Sequence, residues 1–264
     1  MPQSEWPHRH AWPLAASADG RYLATTDGQP FYYCADTQWP LLWHYTLGEA
    51  LEIAADRRRL GFTALQINLL PFGDARNRHG DRIFADRAAL TPNEAYFAHA
   101  DRVLDGLEAL GFAVYVVVLW WNQIDRELRG RSPALCEAYG RWLGRRWQAR
   151  ANLIFVLGGD QRWYEEDRMH FRALAEGLRA ANTTSRLLSF HPQSEHSSSE
   201  HLLDEEWLSL NSIQVCALLC CLQWPSAAAS CPQIDSNGLE WHPMANGLSG
   251  LRWPRMASNG LGWH

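Results

Sequence analysis

Short apolar runs alternate with capped amphipathic stretches along most of this chain, and that alternation restricts its fold more than any single motif does. The runs at 31–35, 63–70, 113–120, 153–157 and 186–190 read as strands buried on both faces. Between them lie segments with helical spacing and helical punctuation. A helix over 47–60 takes Thr46 as its N-cap, has Glu49 three positions on and closes at Gly61. A helix over 93–110 follows Thr91-Pro92 and stops at Gly111, and helices over 133–150 and 162–181 complete the series. Strand, helix and strand in succession predict parallel βαβ units. Ahead of them, Asp19-Gly20 and Asp27-Gly28 mark a short β-hairpin over 17–30.

At 264 residues the chain is long enough for one large domain. Each expected strand carries a polar or aromatic group at its C-terminal end: Asp36, Asn68, Trp120 with Trp121, Asp160 and His191. In a barrel those ends converge on one cavity, which is where barrel enzymes keep their chemistry. A doubly wound sheet is the rival, but Cys34 to Trp39 stands where that fold needs a Gly-rich phosphate loop. The expectation is an α/β chain of (β/α)8 TIM-barrel type.

The run from Asn152 to Asp160 is the sharpest of these ends, since it stops on Gly158, Gly159 and a carboxylate. The glycines allow close approach of a ligand to the backbone beside Asp160. The competing reading makes Asp160 the cap of the following helix. Fourteen tryptophans supply flat surfaces suited to sugar faces as well as core filling, and Trp39 and Trp120 lie at strand ends. Asp36 and Asn68 are candidates to bind sugar hydroxyls, with a loop carboxylate and a turn former as the plainer readings. His79 lies in a polar loop over 76–82, and Glu165, Glu166 and Asp167 suit the first turn of a helix.

Other classes fall away. A net charge of −5 offers no basic surface for nucleic acid. No segment reaches the roughly 18 apolar residues a membrane span needs, and residues 1–13 lack a signal-peptide core, so a soluble cytoplasmic protein is expected. Cys216, Cys220, Cys221 and Cys231 crowd together without ligand spacing, so no metal and no cofactor is expected. Beyond about Gln214 the pattern lapses into a degenerate Trp/Gly repeat at 237–245, 249–257 and 259–264, too short for a solenoid and expected to be poorly structured.

Asp36-Thr37-x-Trp39, the stretch 56–62, Pro92 to Phe97, Leu157 to Asp160, and then Ser197 to Ser199, Trp207, Asn211 and Gln214 occur in an order that resembles the apiosidase-like glycoside hydrolases over about 17–214. The resemblance implies a (β/α)8 barrel, retaining hydrolysis of apiosyl or related linkages in plant pectin, and a saccharide as partner. It places Asp160 as the acid/base carboxylate, gives His191 a carboxylate-orienting role, and adds Gln214 to Asp36, Trp39, Asn68, Trp120 and His191 as substrate-binding candidates. It also implies a nucleophilic glutamate on a late strand. Val215-Cys216 stands where the family continues with Gly-His, and Glu240, the one glutamate after Glu206, lies within the repeat. The expected organisation is an extension at 1–16, a barrel portion at 17–214 incomplete at its C-terminal end, and a divergent tail at 215–264. A noncatalytic carbohydrate-binding remnant or an inactive gene product is the alternative.

Overall fold

The computed structural model describes residues 12–71, 76–120, 128–181 and 186–215, with Gln161 described by its backbone alone. The chain divides into Met1–Val215 and Cys216–His264, and the architecture below is that of the first unit. The Trp/Gly repeat, Glu240, Trp121 and the clustered cysteines lie outside the described residues.

Three two-residue strands, β1 (Ala15–Ala16), β2 (Leu23–Ala24) and β3 (Pro30–Phe31), form an antiparallel sheet. Next come β4 (Ala35–Thr37), α1 (Leu47–Arg59) and β5 (Ala64–Asn68). A small pair, β6 (Phe84–Asp86) with β7 (Thr91–Pro92), leads into α2 (Glu94–Ala109), β8 (Ala113–Val117) and α3 (Pro133–Arg146). The series ends with β9 (Leu153–Gln161), a 3-10 turn (Glu165–Asp167), α4 (Arg168–Ala180), β10 (Leu188–Pro192) and α5 (Ser199–Leu202).

β4, β5, β8, β9 and β10 lie side by side in chain order, every pair parallel. A doubly wound sheet reverses its strand order at a switch point. None of these strands does, so the sheet winds in one direction, as a barrel wall does. β4 and β10 are not joined among the described residues, and the wall is open there. Beyond β10 the next strand position is marked by one parallel bridge, Ser189 to Leu210.

Alternation along the strands sorts the core. Leu65, Ile67, Val114, Val116, Phe155 and Leu157 pack with the helices. Ala64, Ala113, Tyr115, Val117, Ile154 and Val156 face the other way, where Leu14, Leu23 and Phe31 of the N-terminal segment pack on them. The helices follow from their sequences. Thr46 and Glu49 form a reciprocal capping box, and Ser132 caps α3, which has Pro133 at its first position. α2 buries Phe97, Ala100, Val103, Leu104 and Leu107 as one stripe.

Several boundaries differ from the sequence-based expectation. The first parallel strand is Ala35–Thr37, because Pro30–Phe31 is taken by the antiparallel sheet while Ala35 to Thr37 pair with Ala64 to Gln66. β9 runs through both glycines to Gln161, so Asp160 lies within the strand and is not a helix cap. α4 consequently starts at Arg168, and Glu165, Glu166 and Asp167 occupy the 3-10 turn before it. α3 also ends early, at Arg146.

Candidate functional site

Asp160 owes its position to a bulge. Phe190 pairs with Leu157 and Pro192 with Gln161, so β9 takes four steps where β10 takes two. The extra residues, Gly158 at φ +67° and Asp160 at φ +46°, are left-handed, a conformation that costs a non-glycine residue about 1 kcal/mol or more. That strained carboxylate faces His191 on β10, with its Oδ1 3.9 Å from the ring Nδ1. Gln214 Nε2 donates to the same Oδ1 at 2.7 Å. Oδ2 is left without a protein partner among the described residues.

His191 Nδ1 lies 3.4 Å from the Asp160 N–H and 3.1 Å from the Pro192 carbonyl, two contacts that demand opposite tautomers. The shorter one, with the proton on Nδ1, is the better hydrogen bond. Burial pushes the imidazole below the ordinary histidine range, against the opposing pull of the Asp160 carboxylate. A neutral ring, edge toward the acid, is the state this environment selects.

Trp39, Trp120 and His191 form an aromatic wall beside it: the tryptophan centroids are 4.8 Å apart, and His191 is 6.0 Å from Trp39 and 5.5 Å from Trp120. Gly159 is what admits that wall, since a Cβ there would sit 2.4 Å from Trp120 Cε3. Trp39 is half-buried and Trp120 is buried.

A cavity of about 510 Å³ on the inner face of the sheet is lined by Tyr33, Gln66, Tyr115, Ser212 and both side chains that flank Asp160, His191 and Gln214. Burial raises the phenol pKa of Tyr33 and Tyr115, so both stay neutral donors. A second cavity, about 580 Å³, lies near Arg162, Trp163, Gln193 and His196 and includes neither flanking side chain. The first holds the chemistry.

The remaining candidates are placed as follows. Asp36 Oδ2 accepts from Arg57 Nε at 2.5 Å and from Gln38 Nε2 at 2.6 Å, an ion pair that ties β4 to α1. Asn68 is fully buried, and its side-chain amide atoms have no hydrogen-bond partner among the described residues. His79 turns to His99 of α2, Nε2 to Nδ1 at 3.2 Å, and away from the strand-end group. Asn211 Oδ1 accepts from the Ser197 and Ser198 hydroxyls and the Ser199 N–H, and buried Trp207 donates to Glu205; both knit the chain after β10. Asp160, His191, Trp39, Trp120 and Gln214 therefore meet, whereas Asp36 is held by its own ion pair. Tyr33, Gln66, Tyr115 and Ser212 were not singled out from sequence. Gln66 and Tyr115 are polar atoms inside apolar strands, and that was their one visible signal.

Among the described residues no group of three or more His, Cys, Asp or Glu stands ready to hold a metal ion, and no helix is long and apolar enough to cross a membrane.

A singly wound parallel sheet with a carboxylate, an imidazole and aromatic rings at its C-terminal rim is laid out as the wall of an α/β barrel, with polar and aromatic groups at the face where barrel enzymes keep their chemistry. The sequence matches the apiosidase-like catalytic domain model over residues 17–230, and the chain belongs to that family. It is similar to a glycoside hydrolase family 5 structure from Bacteroides vulgatus ATCC 8482, with 25% identity and a TM-score of 0.69, covering 76% of this chain and 43% of that one. A second structure, described as a glycoside hydrolase, has 24% identity and a TM-score of 0.69 over 77% of this chain and 46% of its own. The chain thus spans less than half the length of these structures. No curated protein matches it significantly.

Proposed function

We propose that this chain binds plant cell-wall saccharides of the pectic, apiose-bearing kind at the rim of the sheet, and that Asp160 serves retaining hydrolysis there as the acid/base. The observation that carries this reading is the strained Asp160 itself. It is held on one oxygen by Gln214 while the other oxygen is left for the glycosidic bond. A carboxyl in this role first gives its proton to the leaving oxygen and then takes one from water. Trp39 and Trp120 offer the apolar surface a sugar ring stacks on, and Gln66 and the Tyr33 phenol offer hydrogen bonds to its hydroxyls.

Retaining hydrolysis also needs a second carboxylate about 5–5.5 Å from the first. At the C-terminal ends of the described parallel strands the carboxylates are Asp160 and Asp36, and Asp36 is paired with Arg57. That pairing favours a second reading, a noncatalytic carbohydrate-binding domain. Hydrolysis of aryl glycosides and pectic oligosaccharides by the purified chain, alongside Asp160→Asn, separates the two. Turnover that falls by at least about 10²-fold in the variant supports the acid/base. Saccharide binding without turnover, unchanged in Asp160→Asn, supports the binding reading.

A further inference from the structure

Residues 209–214 run beside β10 as a short flank. Ser209 N and Leu210 N both donate to the Leu188 carbonyl, at 3.0 and 3.1 Å. Along this flank alternate residues share a face. Leu210, which packs against the inner core cluster, Ser212 and Gln214 are half-buried, while Asn211, Ile213 and Val215, which also border the inner cavity, are exposed. Ser212 and Gln214 are thus neighbours on one face, and whatever fixes the first sets the height of the second.

The hydroxyls of Tyr115 and Ser189 hold the Ser212 hydroxyl, and the direction of each bond is forced. Ser189 Oγ lies 2.7 Å from the Leu210 carbonyl, which can only accept, so the single Ser189 proton is used there. In the 2.7 Å contact between Ser189 Oγ and Ser212 Oγ the proton must come from Ser212. In the 2.8 Å contact between Ser212 Oγ and Tyr115 OH it must then come from the tyrosine. Tyr115 on β8 donates to Ser212, Ser212 to Ser189 on β10, and Ser189 to the backbone of the flank. Every proton in this chain is used.

We propose that this hydroxyl chain positions Gln214 on Asp160, so that Tyr115, Ser189 and Ser212 are positioning residues; the catalytic part of the proposal rests on Asp160 as acid/base. Further ties run to the segment 194–199. Ser198 N and Glu195 N donate to the Ser212 and Gln214 carbonyls at 2.9 Å, Gln214 N donates to His196 O at 3.1 Å, Ser212 N donates to Ser198 Oγ at 2.9 Å, and Gln214 Nε2 lies 3.4 Å from Ser194 Oγ. The contacts of Ser209 and Leu210 with Leu188 hold the start of the flank to β10, whereas the hydroxyl chain ties its Ser212 end to the sheet that carries Asp160. A shift of about 1 Å suffices to lose a 2.7 Å contact and, where catalysis depends on it, costs up to about 10²-fold in rate.

The test uses the full chain labelled with ¹⁵N. The Gln214 side-chain amide resonance is assigned by its loss in Gln214→Ala, and its shift in Asp160→Ala marks the uncoupled position. Tyr115→Phe keeps the ring and removes only the donor, Ser212→Ala breaks the chain, and Ser212→Thr restores a hydroxyl. The expected result is that the first two variants move the resonance toward the uncoupled position with an unchanged circular dichroism spectrum, and that Ser212→Thr returns it. On any substrate the wild type turns over, kcat falls about tenfold in the first two while KM stays within about twofold. An unmoved resonance in folded Tyr115→Phe and Ser212→Ala overturns the proposal. Absence of wild-type turnover overturns the acid/base reading alone, because the amide resonance still decides the positioning.

Discussion

Gly158 and Gly159 show how much the site depends on missing side chains. A Cβ at either would meet an aromatic ring, Phe190 Cε2 at 2.5 Å and Trp120 Cε3 at 2.4 Å. Gly158 is left-handed as well, so its replacement adds backbone strain to the clash. Gly159→Ala is expected to cost about 1–3 kcal/mol and to displace Trp120 from the aromatic wall, and Gly158→Ala is expected to cost more. Urea denaturation gives the order, and saccharide titration reports the wall; equal costs would show that strain at Gly158 is negligible. Two histidines govern the acid side of the stability curve. Burial, ahead of the charge of His79, lowers the pKa of His99, and burial lowers that of His191. A base whose folded pKa lies below its unfolded value favours folding fully above about pH 6.5, and that contribution fades as pH falls through the folded value. Stability should therefore drop as pH falls below about 6.5, and the drop should be shallower in His99→Gln. Arg102 opposes and Asp81 favours the charge on His99, so the comparison is made with both intact.

α3 and α4 pack backbone against backbone, and glycines make it possible. A Cβ on Gly177 would lie 2.1 Å from the Glu137 carbonyl, and one on Gly140 would lie 2.4 Å from the Leu174 carbonyl. Backbone cannot yield as a side chain can. Gly→Ala inside a helix ordinarily gains about 0.5–1 kcal/mol, but overpacking costs about 1–3 kcal/mol, so the steric effect wins at Gly177. Gly48 in α1 has open space around its Cβ position. Gly177→Ala is expected to lower the denaturation midpoint and Gly48→Ala to leave it unchanged or raise it. A stabilised Gly177→Ala would refute the close packing. The charged ties at this scale are cross-element ones: Arg146 on α3 with Asp101 on α2 at 2.7 Å, and Arg168 and Arg172 on α4 with nearly buried Glu205 at 2.8 and 2.7 Å. They lower the Glu205 pKa, so its carboxylate is charged in the folded chain. Replacing it with Gln takes one counter-charge from Arg168, which keeps Glu165 and Asp204, and one from half-exposed Arg172, so a loss of about 1 kcal/mol is expected, read from urea denaturation.

For the whole sheet, stability should be graded from centre to edge. β5, β8 and β9 have a strand on both sides, whereas β4 has one and the 209–214 flank meets β10 through a single bridge. Amide exchange is expected to be slowest in β5, β8 and β9 and fastest in β4 and the flank. Uniform protection across all of them would show that the wall is closed in solution.

The elements and their order were legible in the sequence because helices and buried strands carry their own periodicity and caps. Thr46 with Glu49, Gly61, Gly111 and Pro133 are local signals that need no partner. Asp160 was legible as a carboxylate after two glycines, and Trp39, Trp120 and His191 as groups at strand ends. Tertiary structure alone decided that Pro30–Phe31 leaves the main sheet, that β9 continues through its glycines, and that Asp36 spends its charge on Arg57 while Gln214 reaches Asp160. Each of those outcomes is a contact between residues at least six positions apart, and most are separated by twenty or more. Periodicity records what a residue does for its own turn or strand; it carries no record of which distant partner arrives opposite it.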